Sequence, residues 1–130
     1  MNDTTKSPIG KITWTDLTVP DAEPIRNFYS QVVGWSHEAV DMGGYADFNM
    51  NVPENGETVA GICHARGENS QLPPQWLVYI TVENLDMSLT SCKQMAGKIL
   101  APRKEMGKYG SYAVIQDPAG AVCALFEPAK

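Results

Sequence analysis

The chain has 130 residues and a formal net charge of -5, from fifteen acidic and ten basic residues. A chain of this length forms one domain that buries about two thirds of its unfolded surface, so it does not depend on disulfides for its core. The acidic balance, without any run of Lys or Arg, argues against a nucleic-acid partner, because that affinity rests on basic residues that neutralise phosphates.

The first residues and the cysteines predict a reducing compartment. Residues 1–8 are polar and contain neither the apolar core of a secretion signal nor a membrane span. The three cysteines, Cys63, Cys92 and Cys123, are an odd number without CxxC spacing. This pattern argues against a disulfide framework and against a structural zinc site. We therefore expect a cytoplasmic protein without a membrane partner.

One helix and four strands are predicted in the first half of the chain. Apolar and polar residues alternate over residues 9–19, which indicates a strand. Asp21 is a helix N-cap candidate, an apolar stripe with helical spacing follows it, and Gly34 ends the helix. The stripe consists of Ile25, Phe28, Tyr29, Val32 and Val33. The three further strands are predicted at residues 36–40, 46–51 and 58–63.

The second half repeats this pattern after a polar linker at about residues 65–75. Residues 76–82 predict a strand, Asn84 or Asp86 caps a second helix, and Gly97 ends it. Strands are predicted at residues 98–100, 112–115 and 121–126. A shift of 63 residues places Gly34 on Gly97, so the pattern indicates two βαβββ copies. We predict a first module at about residues 10–64 and a second at about residues 76–128, within a single domain.

The turn of the last predicted hairpin resembles a known family. Its residues are Asp117, Pro118, Ala119 and Gly120, and they stand between two apolar strands. With the duplicated modules, this hairpin resembles the vicinal oxygen chelate superfamily, which includes glyoxalases, bleomycin resistance proteins and extradiol dioxygenases. The resemblance covers about residues 10–128 and implies an α+β fold. In that fold two paired βαβββ modules form a curved mixed β-sheet around a cavity.

Metal-using members of that superfamily carry His, Gln or Glu at four strand positions that face the cavity. The resemblance places these positions at Trp14, at Ala60 or Gly61, at Leu77 and at Ala124. None of these side chains can coordinate a divalent cation. We therefore expect no metal ion and no other cofactor.

The residues of the predicted cavity wall are mostly apolar and aromatic, as in small-molecule pockets. The predicted ligand-binding residues are Trp14, Asp16, Phe48, Cys63, Leu77, Tyr79 and Phe126. Asp16 shares the strand parity of Trp14, so its carboxylate is expected to face the cavity. The candidate catalytic residues are Asp16, His64 and Tyr79.

Three functions remain open from the sequence. The first is a metal-free domain that binds a small aromatic or amphipathic molecule in the cup between its modules. The second is a lyase, isomerase or hydroxylase-like enzyme with Asp16 or His64 as general base and Tyr79 as acid or oxyanion donor. The third is an accessory domain whose cavity is filled by its own side chains. The resemblance also implies a homodimer.

Overall fold

The structure is a computed structural model that describes residues 8–130 apart from the side chain of Glu68, and these residues divide into two compact units. Module one consists of residues 14–76, and module two consists of residues 8–13 and 77–130. Residues 8–13 group with module two because Gly10 donates a backbone hydrogen bond to Thr81 and Lys11 accepts one from it, at 2.8 and 2.9 Å. Each module combines a four-stranded sheet with one helix, which confirms the predicted α+β class and the two βαβββ copies.

Module one contains the first helix and the first four strands of the chain. These elements are β1 (Ile12–Val19), α1 (Ala22–Val32), β2 (Ser36–Asp41), β3 (Ala46–Asn51) and β4 (Thr58–His64). The strand order is β2-β3-β4-β1, with β1 parallel to β4 and the other pairs antiparallel. All six residues of the edge strand β2 are exposed.

Helix α1 covers one face of this sheet and buries the core of module one. The buried residues are Leu17, Val19, Ala22, Phe48, Met50, Ala60 and Ile62. Beside them, the indole Nε1 of Trp76 donates a 3.0 Å hydrogen bond to the hydroxyl of Tyr29. Asp21 is the N-cap of α1, but its side chain makes no capping hydrogen bond. Gly34 follows the helix with a φ of +90°, a conformation that favours glycine.

Module two repeats the same order of elements. They are β5 (Trp76–Thr81), α2 (Leu85–Gln94), β6 (Lys98–Glu105), β7 (Gly110–Gln116) and β8 (Val122–Pro128). The strand order is β5-β8-β7-β6, with β5 parallel to β8. Asn84 is the N-cap of α2, and its side chain accepts a 3.0 Å hydrogen bond from the backbone of Met87. Short 3₁₀ helices lie at Gly67–Asn69 and Gly107–Tyr109.

Helix α2 packs on one face of the second sheet, over Leu85, Leu89, Ala113 and Leu125. The predicted hairpin turn connects β7 to β8. The Gly120 N–H donates to the Asp117 carbonyl at 2.9 Å, and the Asp117 side chain accepts the N–H groups of Ala119 and Ala121 at 2.8 and 3.0 Å. Strand β6 extends to Glu105, five residues beyond the predicted strand. Neither helix in residues 8–130 has the length and hydrophobicity needed to cross a bilayer.

Candidate functional site

The sheet of module one has a face opposite α1 that carries the first group of predicted site residues. Leu17 and Ile62 point into the core under the helix. Because side chains alternate along a strand, Asp16 and Gly61 face the other way, and the two are register partners on β1 and β4. Trp14 lies on the same side as Asp16 in β1, and Cys63 lies on the same side as Gly61 in β4. We call Trp14, Asp16, Asp47, Gly61 and Cys63 the Trp14 face.

Trp14 and Asp16 are held against each other on this face. The Trp14 indole Nε1 donates a 3.2 Å hydrogen bond to Oδ2 of Asp16. The indole also lies over Gly61, since a Cβ at that glycine would stand 3.2 Å from Trp14 Cζ2 and 3.3 Å from Asp16 Cβ. Both side chains are half-buried. The face therefore presents an aromatic surface with a carboxylate fixed at its edge.

The thiol of Cys63 lies between two carboxylates. Burial is the main cause that raises the pKa of Cys63 far above its ordinary value, and the negative charges of Asp16 and Asp47 raise it further. The thiol also forms a hydrogen bond with Asp47, whose Oδ1 accepts the backbone N–H of His64 at 2.8 Å. A nucleophilic cysteine needs a lowered pKa. The environment of Cys63 therefore favours a neutral thiol, in contrast to that of a nucleophilic cysteine.

The four positions that hold a metal ion in the resembling superfamily do not fit one in this chain. The sequence left the second position between Ala60 and Gly61, and the structure assigns it to Gly61, because Ala60 lies in the core under α1. Trp14, Leu77 and Ala124 occupy the others, and none of the four offers a donor atom suited to a divalent cation. Among the described side chains no three from His, Cys, Asp or Glu are grouped so that they could hold one.

His64 lies at the end of β4 beside Asp21 and Asp47. Its Nδ1 is 3.4 Å from Oδ1 of Asp47, and its Nε2 is 4.0 Å from Oδ1 of Asp21. Its register partner on β1 is Val19, which belongs to the core under α1. The two candidate bases of module one, His64 and Asp16, are thus on opposite sides of the sheet and do not form a pair.

The prediction that Phe48 lines the same wall as Trp14 is wrong. Phe48 is 4% exposed and packs with Leu17 and Val19 under α1. Its register partner is Ile62, which faces the helix as well. The pairing of β3 with β4 decides which residues of β3 face the helix, and the sequence of β3 alone does not reveal this pairing.

Module two carries the other predicted site residues on the sheet face opposite α2. Leu125 points to the helix, so its strand neighbours Ala124 and Phe126 face away from it. Tyr79 is the register partner of Ala124, and Leu77 shares the parity of Tyr79. The rings of Tyr79 and Tyr112 have centroids 5.9 Å apart. The sequence did not indicate Tyr112.

A groove on module two was also missed by the sequence. It has a volume of about 630 Å³ and lies beside the start of α2, where Ile9, Val82, Met87 and Pro128 line it. The carboxylate of Glu127 is at its wall and accepts the backbone N–H of Leu85 at 2.8 Å. Its residues come from three distant segments, so no local pattern could have indicated it.

Comparison with known proteins identifies similar chains. The chain is 29% identical over 119 residues to "Putative glyoxylase CFP32" of Mycobacterium bovis, and the match covers 91% of this chain and 46% of that protein. It is 25% identical over 132 residues to "Anthracycline biosynthesis protein DnrV" of Streptomyces peucetius, covering 90% and 46%. The chain thus spans about half the length of the curated relatives that it matches.

A solved structure shows a similar fold, and a family model identifies the family. Methylmalonyl-CoA epimerase from Mycobacterium tuberculosis has a similar structure, with a TM-score of 0.55 over 100% of this chain and 94% of that chain at 17% identity, which shows the fold alone. The family model of the Glyoxalase/Bleomycin resistance protein/Dioxygenase superfamily matches residues 11–125. The chain belongs to the Glyoxalase/Bleomycin resistance protein/Dioxygenase superfamily.

Proposed function

We propose that this chain binds a small aromatic or amphipathic molecule without a metal ion, and that the Trp14 face is part of the binding site. The observation that carries the proposal is the Trp14 indole, fixed over Gly61 and hydrogen-bonded to Asp16 at 3.2 Å. An aromatic ligand can stack on such a ring, while the Asp16 carboxylate and the neutral Cys63 thiol orient its polar groups.

The indole N–H signals of Trp14 and Trp76 give an internal test. In ¹H–¹⁵N spectra we expect phenol, indole or 2-naphthol to shift the Trp14 signal, because its donor belongs to the proposed site. The Trp76 signal is the control, since its N–H is bonded to Tyr29. Trp14→Phe assigns the signal. Aromatic probes that leave the Trp14 signal unmoved, or that move both signals equally, contradict the proposal.

A second candidate is a metal-independent lyase, isomerase or hydroxylase-like enzyme with His64 or Asp16 as general base. The observation that favours His64 is the Asp47 carboxylate 3.4 Å from its Nδ1, an arrangement that can orient an imidazole base. Once a ligand is known, its incubation with the protein in D₂O tests this candidate. Deuterium incorporation that His64→Asn abolishes supports the enzyme, and incorporation that survives this change contradicts a role of His64.

We further propose a cytoplasmic homodimer. The three cysteines in the described part of the chain are free thiols, which suits a reducing compartment. A pair of chains would reach the length of the relatives, of which one chain spans 46%. Light scattering after size-exclusion chromatography tests the assembly, and a mass of 14.2 kDa for the eluted species would contradict it.

A further inference from the structure

The basic side chains of module one are gathered in one place. Residues 14–76 contain nine carboxylates but only two arginines, two histidines and no lysine. All four arginine and histidine side chains pack around two aromatic rings. This group, the arginine-aromatic cluster, consists of Arg26, Arg66, His37, His64, Tyr45 and Phe48. All other charged side chains of residues 14–76 are carboxylates.

The two arginines are held by stacking on aromatic rings. Cζ of Arg66 lies 3.8 Å from the centroid of the Tyr45 ring, and Cζ of Arg26 lies 4.6 Å from that of Phe48. Stacking occupies the flat face of a guanidinium and leaves the N–H donors at its edge available. Arg26 uses Nε and Nη2 on the side-chain oxygen of Asn27, at 3.1 and 2.9 Å. Among the side chains that the structure describes in module one, the ion pairs involve His64 and neither arginine.

His64 connects the two stacked pairs. Its ring centroid is 5.7 Å from that of Tyr45 and 6.5 Å from that of Phe48. Only 15% of its side chain is exposed, and its buried Nδ1 lies 3.4 Å from Oδ1 of Asp47 but has no hydrogen-bond partner in the described part of the chain. The carboxylate near its Nε2 belongs to Asp21, which is 74% exposed and makes no helix-capping bond. Asp21 can therefore rotate away when another anion approaches.

We propose that the arginine-aromatic cluster is a second binding site, which takes the oxyanion of a small molecule, a carboxylate or a phosphate group. A guanidinium binds such a group through two parallel N–H donors. Stacking on a ring fixes the plane of the guanidinium, so less conformational entropy is lost on binding. Cys63 and His64 are consecutive in β4 and point to opposite faces. The cluster meets the Trp14 face at Asp47, which lies 3.4 Å from His64 Nδ1 and also contacts the Cys63 thiol. The stacked arginines on which oxyanion binding rests are not part of the Trp14 face, so the proposal does not depend on aromatic binding there.

Titrations with inorganic phosphate and with acetate, followed in ¹H–¹⁵N spectra, test the site. We expect saturable shifts of the amides of residues 45, 64 and 66. Arg66→Gln should weaken binding by at least about tenfold, because it removes a charge-assisted bidentate contact. The matched control is Lys108→Gln in module two, since the Lys108 ammonium lies 5.3 Å from the Tyr109 ring centroid. This control should bind like the unmodified chain.

A pair of Tyr45 variants separates the geometry of the site from its charge. Tyr45→Phe keeps the ring under Arg66 and should keep the affinity, whereas Tyr45→Leu keeps every formal charge and should weaken binding about as much as Arg66→Gln. The tighter of the two probes indicates whether the natural group is a phosphate or a carboxylate. Three results overturn the proposal: no saturable shift with either probe, equal losses in Arg66→Gln and Lys108→Gln, or full affinity in Tyr45→Leu.

Discussion

Removal of the Cys63 thiol should change how the stability of the protein depends on pH. In the unfolded chain this thiol ionises with an ordinary pKa of 9.0, while burial and then the charges of Asp16 and Asp47 keep it protonated in the fold. A raised pKa in the folded state contributes stability that is fully present below the unfolded pKa and is lost as the pH rises above it. At about pH 10 the ionised thiol favours the unfolded chain by about 1.4 kcal/mol.

Urea denaturation under reducing conditions measures this effect. The unmodified chain should lose about 1.4 kcal/mol more unfolding free energy than Cys63→Ala between about pH 7 and about pH 10. The comparison removes the titration of lysines and tyrosines, because both chains share them. It also removes the constant cost of the alanine substitution, because only the difference between the two pH values counts. If both chains lose the same free energy, the thiol is not confined to its neutral form and the described environment of Cys63 is wrong.

Three further predictions concern backbone, capping and metal content. Gly110→Ala should lower the free energy of unfolding, measured by thermal denaturation, by more than about 3 kcal/mol, because the new Cβ would collide with the Glu127 carbonyl. Gly120→Ala, at a φ of +93°, should lower it by about 1 kcal/mol. Equal losses in the two variants would contradict the contact at Gly110. In urea denaturation Asn84→Ala should lower the free energy of unfolding by about 1 kcal/mol and Asp21→Ala by clearly less, because the Asn84 side chain caps its helix and the Asp21 side chain does not. The reverse order would refute the capping assignment. Elemental analysis after dialysis should find no stoichiometric Zn, Ni, Fe or Mn, and one equivalent of any of them would show that the chain holds a cation despite the residues at these four positions.

Local chemistry explains the part of the fold that the sequence predicted. The hydrogen bonds of the Asp117 to Gly120 turn join residues within a segment of five, and the capping bond of Asn84 lies within a segment of four. Short sequence motifs are therefore enough to predict both features. Strand β6 was predicted too short because Pro102 and the charged residues after it disfavour a strand locally. Its pairing with β7, which includes register shifts on both sides of Ala101, extends it to Glu105.

The sequence predicted the candidate site only where the alternation of side chains within one strand decides which residues share a face. The shared face of Trp14 and Asp16 follows from their separation of two residues in β1. The side of Phe48 depends on its partner Ile62, fourteen residues later, and local alternation cannot supply that register. The stacking of Arg66 on Tyr45 depends likewise on the meeting of two strand ends. Contacts of this kind require the tertiary structure.

The negative charges on the exposed strand β2 protect the protein from aggregation. Beyond β3 no described strand pairs with β2, so its outer edge offers backbone donors and acceptors to a strand of another molecule. Glu38 and Asp41 place two negative charges on this strand and repel an identical edge at neutral pH. Glu38→Gln together with Asp41→Asn removes both charges and this repulsion. The doubly substituted chain should therefore aggregate edge to edge at neutral pH while it is still folded.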